Sequence, residues 1–172
     1  MDSIVNKVAE SGILTLNLEQ FIPANVVSFD LKPFLFMELI LKEKEFRAAL
    51  LAHDWNPYHN KSVAVFCSVD AIIPVWAYML VTNYLQPVAE RIHLGDVEQA
   101  RTQWTLLAIQ EMDTTTYANQ RVVIKGCGEI AIPDAAYVAV TAKLRPVVRS
   151  LMYGEPCSTV PIYKQKNNPV VS

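Results

Sequence analysis

Three cysteines and a scatter of carboxylates are the residues in this chain best suited to chemistry. Cys67, Cys127 and Cys157 are its only thiols, and no CxxC pair occurs. A metal site would therefore have to be assembled by the fold rather than by local spacing. An odd, sparse set of cysteines without an export signal reads as free thiols in a reducing cytoplasm. Thiolates with a nearby carboxylate could bind zinc or an iron–sulfur cluster. Asp70, Glu129 and Glu155 are the carboxylates closest in sequence to the thiols, and Asp96 is a fourth. Asp70, Glu129 and Glu155 are also the candidates for holding a cofactor or small molecule. Alternatively, Cys127 acts as a lone reactive thiol: Gly126 and Gly128 allow close backbone approach, and a following helix N-terminus favours a thiolate, against repulsion from Glu129.

Plainer readings stand beside these. Cys67, within Val-Ala-Val-Phe-Cys, suits a small packing residue. Asp70 and Glu129 precede helical patterns and would serve as caps. His53 and His59 flank a polar loop and suit a surface or helix-end position. His93 falls in a strand pattern, and Tyr78 and Tyr137 fall on an apolar helix face. No GxGxxG, Walker A, GxSxG or HExxH pattern occurs, which disfavours a nucleotide enzyme of a standard type.

These residues are positioned by an internal repeat. Residues 63–96 align without gaps on residues 122–155, with 11 of 34 positions identical; composition alone would give roughly two. The shared residues include Ile73/Ile132, Pro74/Pro133, Ala77/Ala136, Tyr78/Tyr137, Val81/Val140, Leu85/Leu144, Pro87/Pro146 and Gly95/Gly154. Each copy predicts a β-α-β unit. Residues 63–66 and 122–125 are β-branched runs. The prolines suit a first helical turn, and Ala77, Val81, Leu85 and Val88 advance along one helix face. Pro87 and Pro146 end the helices, and residues 90–94 and 149–153 form second strands. Between the copies, Asp96 and Gln99 predict a capping box. Behind it Val97, Ala100, Trp104 and Leu107 give an apolar stripe, and Asp113–Gln120 a polar connection.

The alternation implies an α/β fold: a mostly parallel sheet flanked by helices, built around the duplicated β-α-β unit. Residues 1–60 form a short α+β segment, with alternation at Leu14, Leu16, Leu18 and at Val27, Phe29, Leu31, and a helix over Glu43–His53 carrying Phe46, Ala49 and Leu50 inward. Pro161 confines the run Thr159–Tyr163 to a sheet edge, and residues 165–172 read as a frayed tail. Ligands of a parallel sheet bind at the carboxyl ends of its strands. In one sheet, that rim would gather all three thiols with Asp70, Asp96, Glu129 and Glu155.

The chain has 172 residues, which fits a single domain over 1–172. Hydrophobic residues make up 52% and charged residues 19%, so disorder is excluded for most of it. Fifteen basic and 17 acidic residues give a net charge of −2. This argues against a duplex nucleic-acid partner, which needs a basic face. The longest apolar run, Ala71–Val81, has 11 residues; a membrane span needs about 20.

Several segments together resemble an uncharacterised bacterial family, domain of unknown function 2480. They are Leu41–Arg47, His53-Asp54-Trp55, Cys67–Tyr78, Lys125–Gly128 and Gly154-Glu155-Pro156-Cys157-Ser158-Thr159-Val160-Pro161. The resemblance covers nearly the whole chain. It implies a cytoplasmic protein of Bacteroidetes type with no established activity. It also implies a genetic neighbourhood of iron–sulfur cluster assembly, with assembly proteins as partners, which favours a metal or sulfur role for Cys67, Cys127 and Cys157.

Three functions compete: an accessory protein with a cysteine-based metal, iron–sulfur or sulfur-handling site; a small-molecule enzyme with its cleft at the carboxyl edge of the sheet; and a non-catalytic binding or scaffolding protein. A two-fold homodimer is the default oligomer.

Overall fold

The computed structural model describes residues 12–126, 128–155 and 157–166. Seven strands and four α-helices follow in the order β1 (Ile13–Leu16), β2 (Val26–Asp30), α1 (Glu43–Ala52), β3 (Ser62–Phe66), α2 (Val75–Leu85), β4 (Arg91–Leu94), α3 (Val97–Glu111), β5 (Arg121–Ile124), α4 (Asp134–Leu144), β6 (Ser150–Glu155) and β7 (Ser158–Lys164). Short 3-10 turns at Leu18–Phe21, Lys32–Phe34, Asn56–Tyr58 and Thr115–Tyr117 fill the connections. The α/β class holds, with parallel pairing dominant. The strands divide between two sheets, however. One has the order β1-β5-β6-β7, the other β2-β3-β4. All pairs are parallel except β6 with β7.

The sheets belong to two compact units. Pro23–Gln103 forms a contiguous unit; the chain up to Ile22 and from Trp104 onward forms a split one. Each of the stretches 63–96 and 122–155 runs strand, helix, strand, the first in the contiguous unit and the second in the split one. In both units a strand from the N-terminal segment pairs in parallel with the first of these strands: β2 with β3, and β1 with β5.

In the contiguous unit, α1 and α2 pack on the sheet through Phe46, Leu50, Ala77, Val81 and Leu85, all fully buried against Phe29, Val63 and Val65. Phe29 is the centre. Its ring stacks on Phe34 at 5.3 Å and on Trp55 at 5.4 Å, and Trp55 stacks in turn on Tyr84 at 5.2 Å. His53, the cap residue of α1, meets Trp55 edge-on at 4.7 Å, so it is a helix-end residue set among aromatic rings rather than a surface one. In the split unit, Ala136, Val140 and Leu144 of α4 are fully buried against Val122, Ile124 and Leu151. The helix positions shared by the two stretches are thus the positions facing each core, as a 3.6-residue period requires.

Local expectations were met unevenly. The Asp96–Gln99 capping box is present in both directions: the Gln99 amide donates to Asp96 Oδ1 at 2.8 Å and the Asp96 amide to Gln99 Oε1 at 3.0 Å. Pro74 and Pro133 do not lie within the first turn. They are extended cap residues at φ −64° and −61°, and the helices begin one residue later. On α3, Ala100 and Trp104 are buried but Leu107 is exposed. Strand β7 does form the sheet's outer edge, where Pro161 is tolerated. Gly154, the residue matched with Gly95, has φ 120°, and a Cβ there would meet the Ser158 carbonyl oxygen at 2.6 Å. The tight β6–β7 return therefore demands glycine.

Phe29→Ala should destabilise the protein by about 3–5 kcal/mol, because the ring is fully buried and bounded by several others. A fall in the urea midpoint with little change in slope would show this; a midpoint near wild type would mean that the aromatic centre is dispensable.

Candidate functional site

In the contiguous unit the chain leaves β3 at Phe66 and enters the loop Cys67-Ser68-Val69-Asp70. This departure is held by Asp30, the last residue of the neighbouring strand β2. Asp30 Oδ1 accepts the Ser68 amide at 3.0 Å and the Lys32 amide at 2.9 Å, and Oδ2 accepts the Ser68 hydroxyl at 2.6 Å. The Leu31 amide adds a 2.9 Å bond to the Phe66 carbonyl. Burial pushes the Asp30 carboxyl up, but the donors from Ser68 and Lys32 outweigh it, and it titrates below its ordinary 3.8. Cys67 is half-buried and packs against the aromatic core. Burial raises the Tyr78 phenol, and Cys67 raises it further.

A related arrangement occurs in the split unit. The loop after β5 runs Lys125-Gly126-Cys127-Gly128-Glu129, of which Cys127 lies outside the described residues. Glu19, in the turn that follows β1, accepts the Ile130 amide on Oε1 at 3.1 Å, while the Asn17 side-chain amide donates to its Oε2 at 3.3 Å. The Ile130 bond and the Asn17 bond together hold the Glu19 carboxyl below its ordinary range. The glycines on either side of Cys127 are set by close approach. A Cβ on Gly128 would run into the Glu19 carboxylate, and one on Gly126 would lie 2.8 Å from Tyr153 Cζ. The Tyr153 hydroxyl donates to the Gly126 carbonyl at 3.3 Å.

The carboxylates singled out in the sequence sit differently from their expected roles. Asp70 and Glu129 are exposed, and neither caps the helix after it: Pro74 and Pro133 take the cap positions without a side-chain bond. Asp96 is occupied as the cap of α3. Glu155 ends β6, and Cys157 is exposed at the turn into β7. His59 is exposed and His93 is half-buried in β4. The common rim expected for Cys67, Cys127 and Cys157 presupposed one sheet. With two sheets, Cys67 belongs to the contiguous unit and Cys157 to the split one. Among the described residues no group of three or more His, Cys, Asp or Glu side chains could hold a metal ion, and no helix is long and apolar enough to cross a membrane.

Sequence reading missed Asp30 and Glu19. Each lies far along the chain from the loop it fixes, 38 residues for Asp30 to Ser68 and 111 for Glu19 to Ile130. The one local signal was an acid closing a strand pattern with a free amide two residues on, as at Asp30–Lys32.

Fold and site define an α/β protein whose parallel strands end in carboxylate-held loops, one of them bearing a half-buried thiol. The chain belongs to the family described as Protein of unknown function (DUF2480), whose model matches residues 2–165. No curated protein and no solved structure matches it.

Because folding lowers the Asp30 pKa, the stability it contributes is complete above 3.8 and is lost as the pH falls through the folded value. Asp30→Asn should lower stability at neutral pH by on the order of 1 kcal/mol, allowing for solvent screening. The gap between wild type and variant should narrow as the pH is lowered below 3.8. A gap independent of pH would show that the charge on Asp30 contributes nothing.

Proposed function

We propose that this is an accessory protein with a cysteine-based site, which binds a soft ligand (a thiophilic metal ion, an iron–sulfur cluster or sulfur itself) at Cys67. The observation behind this reading is the placement of Cys67. It follows the carboxyl end of β3, the central strand of a parallel sheet, where ligands of such sheets bind. The next residue is fixed by Asp30, so the thiol is carried on a rigid backbone. Half-burial leaves it reachable while shielding it from bulk oxidants. Asp70 lies three residues on, and Glu129 and Glu155 hold comparable places beside Cys127 and Cys157 in the sequence; carboxylates are the oxygen donors that zinc and iron accept alongside sulfur. On this reading the partners are proteins that deliver or receive the same metal or sulfur, in a reducing compartment.

Anaerobically prepared protein should contain zinc, iron or sulfide, or should take up Zn²⁺ in competition with a chromophoric chelator. Cys67→Ser should weaken that uptake at least about tenfold. Metal-free protein that takes up no Zn²⁺, or uptake unchanged by Cys67→Ser, would overturn the reading.

A second reading, a non-catalytic binding protein, is favoured by one observation. Val75 and Met79, one turn apart on α2, are 74% and 66% exposed, and Ile72 in the segment leading into the helix is 92% exposed. That helix contains no charged residue. A face without charge offers nothing to select an ionic partner and fits an identical copy of itself, so a two-fold dimer of this chain is its occupant. Sedimentation should give a dimer that Met79→Glu converts to monomer; a wild-type monomer at all concentrations excludes it.

A further inference from the structure

The split unit contains a second feature, at the opposite ends of the strands from the thiol-bearing loops. Arg121 opens β5, Ser150 opens β6 and Lys164 closes β7, and pairing places them in one row, Arg121 beside Ser150 and Ser150 beside Lys164. Arg149 precedes Ser150, and its carbonyl accepts the Gln165 amide at 2.9 Å, which extends the ladder past β7 towards Lys166. Together these residues border a cleft of about 1040 Å³ floored by Met152, Pro161 and Tyr163.

The charge of this cleft is one-sided. Arg121, Arg149, Lys164 and Lys166 line it, and among the described residues no acidic one does. None of the four forms an ion pair with another described residue. Arg145 adds a fifth cation nearby, its guanidinium 4.7 Å from the centre of the Tyr163 ring. Four cations with no acidic partner among the described residues, on a chain of net charge −2, repel one another until an anion joins them. The first stretch shows that the fold itself does not require this. At the matching positions the contiguous unit has Ser62 for Arg121 and Glu90 for Arg149, and Glu90 pairs with Arg91 at 3.5 Å.

We infer that this cleft binds a small phosphate ester carrying two or more negative charges. Guanidinium forks match phosphate oxygens two at a time. The Ser150 hydroxyl and the Gln165 side-chain carboxamide offer neutral donors, and Met152, Pro161 and the Tyr163 ring give an apolar bed for the rest of the molecule. The site is independent of the thiol reading, since it lies in the other unit from Cys67.

Calorimetry with ADP as the probe tests this. ADP should bind, more weakly as salt is raised, and inorganic pyrophosphate should bind less tightly because it leaves the apolar bed unused. Arg149→Glu should weaken ADP by at least about tenfold without moving the thermal midpoint. The double change Arg121→Gln with Lys164→Gln should do the same, and it decides the matter if Arg149→Glu does not fold. Absence of binding by both ADP and pyrophosphate would overturn the inference. So would affinity unchanged in the variants, or a single-stranded oligonucleotide that binds far more tightly than ADP, which would make the ligand a nucleic-acid backbone.

Discussion

The structure depends on a carboxylate at the end of one strand holding the loop that leaves the next. A parallel strand that ends at the carboxyl edge of its sheet exposes backbone amides that no ladder can satisfy, and an open loop there would be free to sample many conformations. Asp30 answers both needs by taking two amides and one hydroxyl. Glu19 does so with the Ile130 amide, and its own position is fixed by Asn17. The donors favour the charged form in each case, which is why both carboxyls titrate low. Where the chain leaves β3 and β5, the backbone at Ser68 and at Ile130 is held by these two acids.

Much of the architecture was legible because packing leaves a period in the sequence. Ala77, Val81 and Leu85, matched by Ala136, Val140 and Leu144, recur at helical spacing and are the residues each core buries. The capping box at Asp96 and Gln99 was legible because it is completed within one turn. The division into two sheets was not. Parallel strands buried on both faces read as the same β-branched runs whichever neighbour they take, and nothing in Val63–Phe66 or Val122–Lys125 says that their partners are β2 and β1. The single sheet that the common rim for the three thiols presupposed went with that ambiguity.

The carboxylates show the same boundary between local and distant. Asp70 and Glu129 attracted attention as acids beside Cys67 and Cys127, with helix capping as the plainer role, yet proline holds the cap positions, and its fixed φ already sets the turn into the helix. The acids that matter are distant in sequence, and a single chain read in order carries no sign of such pairings. The basic cleft escaped notice for a related reason. Arg121, Arg149 and Lys164 are scattered cations in a slightly acidic chain, and only the register of β5, β6 and β7 aligns them.

The two units also differ in how their chain is spent. Pro23–Gln103 holds every strand and helix of its sheet in one continuous stretch, whereas β1 must wait for β5, with Ile13 pairing with Arg121. Closing that long excursion demands more chain entropy than any pairing within the contiguous unit. During synthesis the contiguous unit can therefore condense while β5 is still unmade, and the split unit closes afterwards, with β1 held unpaired in the meantime. Order of assembly is thus written into connectivity: the half with the clamped thiol matures first, and the half with the cationic cleft completes last.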